Sequence, residues 1–169
     1  SSQTNSGGND GFIYAINLQN NIFNWAKLVG TNNEDNVTAI DVGNRDIVAS
    51  ISTLSSDEDV LIRRLNISDG QDVVEELTAS ITTNRDDRAA AIEFDSSASG
   101  FRVLLDSDAD ISTENELTPT LSRDVQLLTF SSSNEKTSNL TVASEVDDTA
   151  KSLTVADDNS NLIIAGETL

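Results

Sequence analysis

The chain has no cysteine, histidine or methionine, and only one proline, one tryptophan and one tyrosine. Each absence excludes some chemistry. Without cysteine there is no disulfide framework and no thiol nucleophile. Without histidine or cysteine the usual zinc, copper and haem sites are excluded. A Ser-His-Asp arrangement cannot be built within this chain. Positive charge is also scarce: 10 basic residues stand against 29 acidic ones, for a net charge of −19. Such a surface repels phosphate backbones and anionic lipid, so the composition points to no nucleic-acid partner and no membrane insertion. No apolar run approaches the length of a membrane span. The first ten residues are polar and glycine-containing, unlike a secretory leader, which suggests a mature form or a piece of something longer.

What remains is a 169-residue chain with 37% hydrophobic residues, mostly Val, Ile, Leu and Ala. Its many Ser and Thr residues suit strands and turns better than helices. The apolar runs repeat. Asp10-Gly11-Phe12-Ile13-Tyr14-Ala15-Ile16 returns as Asp59-Val60-Leu61-Ile62-Arg63-Arg64-Leu65, then as Asp124-Val125-Gln126-Leu127-Leu128-Thr129-Phe130. A recurrence of this kind marks stacked supersecondary units.

Each unit holds four strand-length runs. The first has Phe12 to Leu18, Ile22 to Val29, Val37 to Val42 and Ile47 to Ile51, separated by turn-forming residues. In the second, a hairpin signal at Ser68-Asp69-Gly70 separates the first two runs, and Ala89 to Phe94 and Phe101 to Leu105 follow. Asp72 to Leu77 alone reads as a helical turn, but the repeat register makes it a strand. The third unit has Val125 to Phe130, Leu140 to Ser144, Ser152 to Ala156 and Leu162 to Ala165.

The expected architecture is all-β, with three four-stranded antiparallel propeller-like blades. Residues 1–9 read as a linker or the tail of a preceding repeat. Blade 1 spans 10–56, blade 2 57–105 and blade 3 123–169, with an acidic insertion loop at 106–122. Three blades do not close a propeller, which usually needs four to eight. The expected partners are therefore further repeats of the same protein or other copies of the chain.

Particular residues carry a family resemblance. The first unit runs from Asp10-Gly11-Phe12-Ile13 to Trp25-Ala26-Lys27-Leu28-Val29-Gly30, then to Asp35 and Ala39-Ile40-Asp41. The third ends Asn161-Leu162-Ile163-Ile164-Ala165-Gly166-Glu167-Thr168. This resembles the SBBP-type β-propeller repeats of secreted bacterial proteins. There a D-x-F-V-x-K-L strand leads to W-x-x-x-L-G-G, and an acidic turn precedes I-A-V-D and a closing G-N-V-Y-V-T-G-x-T strand. The chain departs from that pattern in having its tryptophan only in the first unit. Ile51 and Leu105 stand where the third unit has Gly166, and Val29-Gly30 replaces the double glycine. The resemblance implies a propeller fold and an extracellular or cell-surface location, and says little about activity.

The insertion is where the repeat breaks. It carries Asp106, Asp108 and Asp110 in alternation, followed by Glu114 and Glu116. Carboxylates so spaced in a loop are candidate ligands for Ca²⁺, which takes six to eight oxygens. Ile111 and Leu117 stand where an EF-hand needs its glycine and its final glutamate. Recurring acidic turns at Asn33-Glu34-Asp35, Asp86-Asp87 and Asp147-Asp148 read as backbone-capping turns. Asp10, Asp59 and Asp124 read the same way. Of Arg63 and Arg64, one should reach a salt bridge in an adjacent blade. Trp25 and Tyr14 are assigned to the core. Asn36, Asn66 and Asn139 head sequons and are candidate glycosylation sites.

Three functions compete on this reading. The leading one is a non-enzymatic extracellular structural or adhesive repeat module within a larger cell-surface or filament protein. The second is a propeller module that binds Ca²⁺ or surface glycans. The third is an accessory domain of a secreted hydrolase. No cofactor other than Ca²⁺ is expected.

Overall fold

The computed structural model describes residues 5, 7–73, 79–83, 85–95, 100–109, 119–142, 144–156 and 161–169. Within them the chain is all-β, with twelve strands in antiparallel sheets and no helix. The strands are β1 (Gly11–Asn17), β2 (Ile22–Val29), β3 (Glu34–Val42), β4 (Asp46–Leu54), β5 (Glu58–Asn66) and β6 (Ala79–Ile81). They continue with β7 (Asp87–Asp95), β8 (Gly100–Ala109), β9 (Pro119–Phe130), β10 (Lys136–Val142), β11 (Asp148–Val155) and β12 (Leu162–Thr168). Asp72 makes an isolated antiparallel bridge to Leu65. Residues 74–78 of the segment read as either strand or helical turn lie outside the described residues.

The grouping of strands differs from four per repeat. The sheets are a β1–β2 hairpin, a meander β3–β4–β5–β6, a meander β7–β8–β9–β10 and a β11–β12 hairpin. Each four-stranded sheet therefore joins the last two strands of one repeat to the first two of the next. The reason is local. Residues 55–57 link β4 to β5, closed by a hydrogen bond from Ser55 N–H to the Asp57 carbonyl at 3.1 Å. A loop that short favours immediate antiparallel pairing. Between β2 and β3, and between β6 and β7, the chain instead crosses to the neighbouring sheet.

The registers repeat as the sequence does. Asp35 faces Thr53, Asp87 faces Ser107 and Asp148 faces Thr168 across the β3–β4, β7–β8 and β11–β12 pairs. Each of these pairs shifts register at the same place, between Val37 and Ala39, between Ala89 and Ala91, and between Ala150 and Ser152. The junction pairs agree as well: Thr53 faces Asp59 and Ile47 faces Leu65, as Ser107 faces Asp124 and Phe101 faces Phe130.

Packing runs in chain order. β1 lies against β3, and β3, β4 and β5 lie against β7. β7, β8 and β9 in turn lie against β11. Among the described residues three apolar clusters fill the spaces between sheets. The first contains Ile13, Trp25 and Val29 with Ile47, Ala49, Ile51, Leu61 and Leu65. The second sets Val48, Val60, Ile62 and Ile81 against residues such as Ile92, Phe101, Val103 and Leu128. The third holds Leu104, Val125 and Leu127 with Ala150 and Leu153. β4 supplies Ile47 and Ala49 to one cluster and Val48 to the next, so it is buried on both faces. Its run Ile47-Val48-Ala49-Ser50-Ile51 is accordingly continuous rather than alternating.

Trp25 locks the first hairpin to this stack. Its indole N–H donates to the Ile67 carbonyl at 2.9 Å, and its ring lies over Gly70. Gly70 has φ of 70°, and a Cβ there would sit 2.6 Å from the indole, so the turn needs glycine on both counts. Tyr14, assigned to the core by sequence, is 53% exposed: β1 turns Ile13 inward and Phe12, Tyr14 and Ile16 outward. Truncating the buried indole leaves a large cavity at a contact between two sheets. Trp25→Ala should therefore lower the free energy of unfolding by about 3–5 kcal/mol, measured by urea denaturation.

Candidate functional site

The residues that recur with the repeat meet where the chain crosses between sheets. In each crossing a Ser or Thr hydroxyl accepts a backbone N–H two residues on. Thr31 accepts from Asn33 at 3.1 Å, Thr83 from Arg85 at 3.1 Å and Ser144 from Val146 at 3.2 Å. Four residues after each stands a buried aspartate: Asp35, Asp87 or Asp148. Asp35 accepts the Thr31 N–H at 2.7 Å, and Asp87 accepts the Thr83 N–H at 3.1 Å. The following strand supplies a hydroxyl. Ser107 donates to Asp87 at 2.5 Å and Thr168 to Asp148 at 2.7 Å, while Thr53 lies 3.2 Å from the Thr31 hydroxyl.

Preceding acids tie the crossing to the first strand of the same repeat. Asp86 accepts the Glu58 N–H at 3.2 Å, and Asp147 accepts the Arg123 N–H at 3.0 Å. The acidic turns therefore cap backbone groups, as their sequence position suggests. The Ser/Thr-x-x-x-Asp spacing is a signal that the sequence reading did not use. Asp10 belongs to the first crossing: a Cβ on Gly30 would lie 2.8 Å from its Oδ1 and 2.9 Å from Asp35 Oδ2. Gly30 thus leaves room for two carboxylates to approach one backbone segment.

Asp59 and Asp87 form the most perturbed pair. Burial drives the Asp87 carboxyl up to about 6, against the hydrogen bonds from Ser107 and Thr83, and Asp59 adds to the rise. Asp59 is raised as well, first by burial and then by Asp57. Among the described residues its buried Oδ1 accepts no hydrogen bond. The arrangement can hold a proton in mildly acidic solution, and it places a Ser hydroxyl against a carboxylate with no imidazole between them.

The proposed cation ligands lie at a second place. Asp106 and Asp108 are part of β8 rather than of a loop, because β8 and β9 continue their hairpin as far as Ala109 opposite Pro119. Arg123 occupies both carboxylates, at 3.5 Å from Asp106 Oδ2 and 2.8 Å from Asp108 Oδ1. Burial raises the 2%-exposed Asp106, partly opposed by Arg123, whereas the hydrogen bond from Arg123 holds Asp108 below the usual carboxylate range. The sequence reading missed Arg123. Asp110, Glu114 and Glu116 lie outside the described residues. Among the described residues no group of three or more acids is disposed to hold a metal ion.

The remaining expected residues are dispersed. Asn36 is exposed on β3. Asn66 closes β5 and accepts from the Ser68 N–H and hydroxyl at 2.9 and 2.7 Å. Asn139, within β10, donates to Gln126 at 3.1 Å. Arg64 is buried and takes its charge partner from its own sheet, Asp46 at 2.6 Å. Its contacts to the next sheet are neutral: the Ser132 carbonyl at 3.0 Å, Asn134 at 3.3 Å and the face of Phe94 at 5.5 Å. The expected salt bridge thus joins residues of the first and second repeats, but it lies within one sheet, because Asp46 begins the strand that β5 pairs with.

The chain matches no family model, and no curated protein matches its sequence.

Two outcomes follow from this geometry. A carboxyl with a raised folded-state pKa binds its proton more tightly when folded, so its contribution to stability is full below about pH 4. It is lost as pH rises through about 6. The loss for Asp87 should be on the order of 3 kcal/mol. Urea midpoints compared with Asp87→Asn across that range should converge at low pH and separate at neutral pH, with the variant the more stable. Separately, Arg123→Gln leaves Asp106 buried without its counter-charge and should cost about 3 kcal/mol at pH 7 in the same assay.

Proposed function

We propose that the chain is a non-enzymatic extracellular structural or adhesive module, a propeller-type repeat unit of a larger surface assembly. The observation that carries this reading is the use made of the repeated residues. Thr31, Thr83 and Ser144, and Asp35, Asp87 and Asp148 with them, spend their hydrogen bonds on backbone groups and neighbouring hydroxyls at sheet crossings. Repetition in this chain serves a stacking architecture, and each stacked sheet depends on its neighbours for burial. Histidine and cysteine, the usual partner of a serine nucleophile and the usual ligands of zinc and copper, are missing from the sequence altogether.

The acidic composition suits such a role. A net charge of −19 keeps a surface rich in β-edges soluble and makes contacts between copies dependent on ionic strength. The two end hairpins support the propeller-type reading, since each has the strand number of half of a complete sheet.

The test is assembly. Light scattering and negative-stain imaging should find ordered multi-copy particles, more abundant at about 1 M than at about 0.1 M salt as repulsion is screened. A particle that stays monomeric at every ionic strength overturns the reading.

A further inference from the structure

Both complete sheets are joined in the same way. The last strand of one repeat pairs antiparallel with the first strand of the next: β4 with β5, and β8 with β9. β12 is the equivalent of β4 and β8, because Thr168 faces Asp148 as Thr53 faces Asp35 and Ser107 faces Asp87. β1 is the equivalent of β5 and β9 through the Asp10, Asp59 and Asp124 repeat. Among the described residues β12 pairs only with β11, and β1 only with β2.

We propose that β12 of one copy pairs with β1 of a second copy, completing a sheet in the order β11–β12–β1–β2. Transferring the register of the two existing junctions sets Thr168 opposite Asp10, Ile164 opposite Tyr14 and Leu162 opposite Ile16. The inference rests on the reading of the chain as an assembling module and names the contact.

The side chains that this pairing covers are those left bare. Phe12, Tyr14 and Ile16 are 61%, 53% and 47% exposed, whereas Leu61 and Gln126 in the place of Phe12, Leu128 in the place of Tyr14, and Leu65 and Phe130 in the place of Ile16 are buried in the complete sheets; Arg63, also in the place of Tyr14, is half-buried. Phe12 and Tyr14 already stack on that face, with ring centroids 5.5 Å apart. In the complete sheets this face looks toward the preceding sheet: Leu61 and Leu65 join the first cluster, and Leu128 and Phe130 the second. Docked beside β12, the three side chains would extend the third cluster, which Leu162 and Ile164 of β12 already join.

The receiving surface is bare in the matching place. Val142 on β10 is the equivalent of Ile81 on β6, since Val125 faces Val142 as Val60 faces Ile81. Ile81 is buried at 5% because a complete sheet covers it, whereas Val142 is 49% and Leu140 57% exposed. A hairpin added to β12 falls over them. These side chains and two strand edges are what the contact would bury. Unpaired, the same edges and apolar residues would be open to non-specific pairing.

The occupant is a second copy rather than the chain's own β1. Self-pairing would close a ring of three sheets, below the four that propeller closure needs. Two copies that exchange hairpins reciprocally make six complete sheets, within the range of closed propellers. They do so with the two-fold symmetry that most homo-oligomers adopt.

The chain's lack of cysteine makes the test direct. A Tyr14→Cys chain mixed with an Ile164→Cys chain should oxidise to a covalent heterodimer. The yield should be at least about fivefold that of Tyr14→Cys mixed with Ile163→Cys, whose side chain leaves the opposite face. Ile16→Lys, at a half-exposed site in the single copy, should weaken association at least about tenfold without moving the unfolding midpoint of the monomer. Ordered assembly without the 14–164 link overturns this contact and leaves the module reading standing. A chain monomeric in all salts overturns both. An internal disulfide at monomer mass in the double variant assigns the edge to the chain's own hairpin and also overturns the proposal.

Discussion

The structure depends on antiparallel pairing across the boundary between repeats. β4 and β5 are the most deeply buried strands of their sheet, and they belong to different repeats. β8 and β9 repeat that relation. A single repeat therefore leaves a backbone edge of its last strand unpaired and one apolar face of it uncovered. Ile47 and Ala49 of β4 pack with Ile13, Trp25 and Val29 of their own repeat, but Val48 joins a cluster whose other buried members all come from later strands. Stability is then a property of neighbours, and every sheet with fewer than four strands leaves side chains bare that its equivalents bury. Phe12 and Tyr14 are exposed on a two-stranded sheet, and Leu140 and Val142 are exposed on a four-stranded sheet whose following neighbour, β11–β12, has only two strands.

The polar side of the fold follows from the same constraint. A chain that leaves one sheet to start another must satisfy backbone groups at a place where ladder pairing stops. Thr31, Thr83 and Ser144 do so with their hydroxyls. Asp35, Asp87 and Asp148 are then drawn into the interior beside Asp10, Asp59 or a strand hydroxyl. Burying a carboxylate near another raises its proton affinity, so the crossings are also where the acidic composition is least comfortable. Arg123 answers the same problem at the end of β8, where Asp106 is buried next to Asp108.

Strand positions were legible because hydrophobic runs and turn residues are local signals. Ile22 to Val29 appears over those residues, and β12 begins at Leu162 as read. β3, β7 and β11 begin earlier than their apolar runs, at Glu34, Asp87 and Asp148. A buried aspartate heads or nearly heads each, and hydrophobicity alone does not mark it as interior. The capping role of the acidic turns was legible from the habits of Asp in turns. Arg123 was not, because it stands far from Asp106 in sequence and meets it only through the β8–β9 hairpin. Tyr14 was misassigned because alternation specifies two faces without saying which one has a neighbour.

By itself the amino-acid sequence determined the class, the period and the excluded chemistry. Alternating and continuous apolar runs make strands, the recurrence of Asp10 at Asp59 and Asp124 makes repeats, and missing His and Cys remove whole families of sites. Only the tertiary structure decided the phase, that is, which four strands share a sheet and therefore which edges stay open. Phase is set by the three residues between β4 and β5 and by the hydroxyl-aspartate crossings before β3, β7 and β11. A periodic pattern is unchanged when its starting point is moved, so periodicity carries no information about where one sheet ends and the next begins.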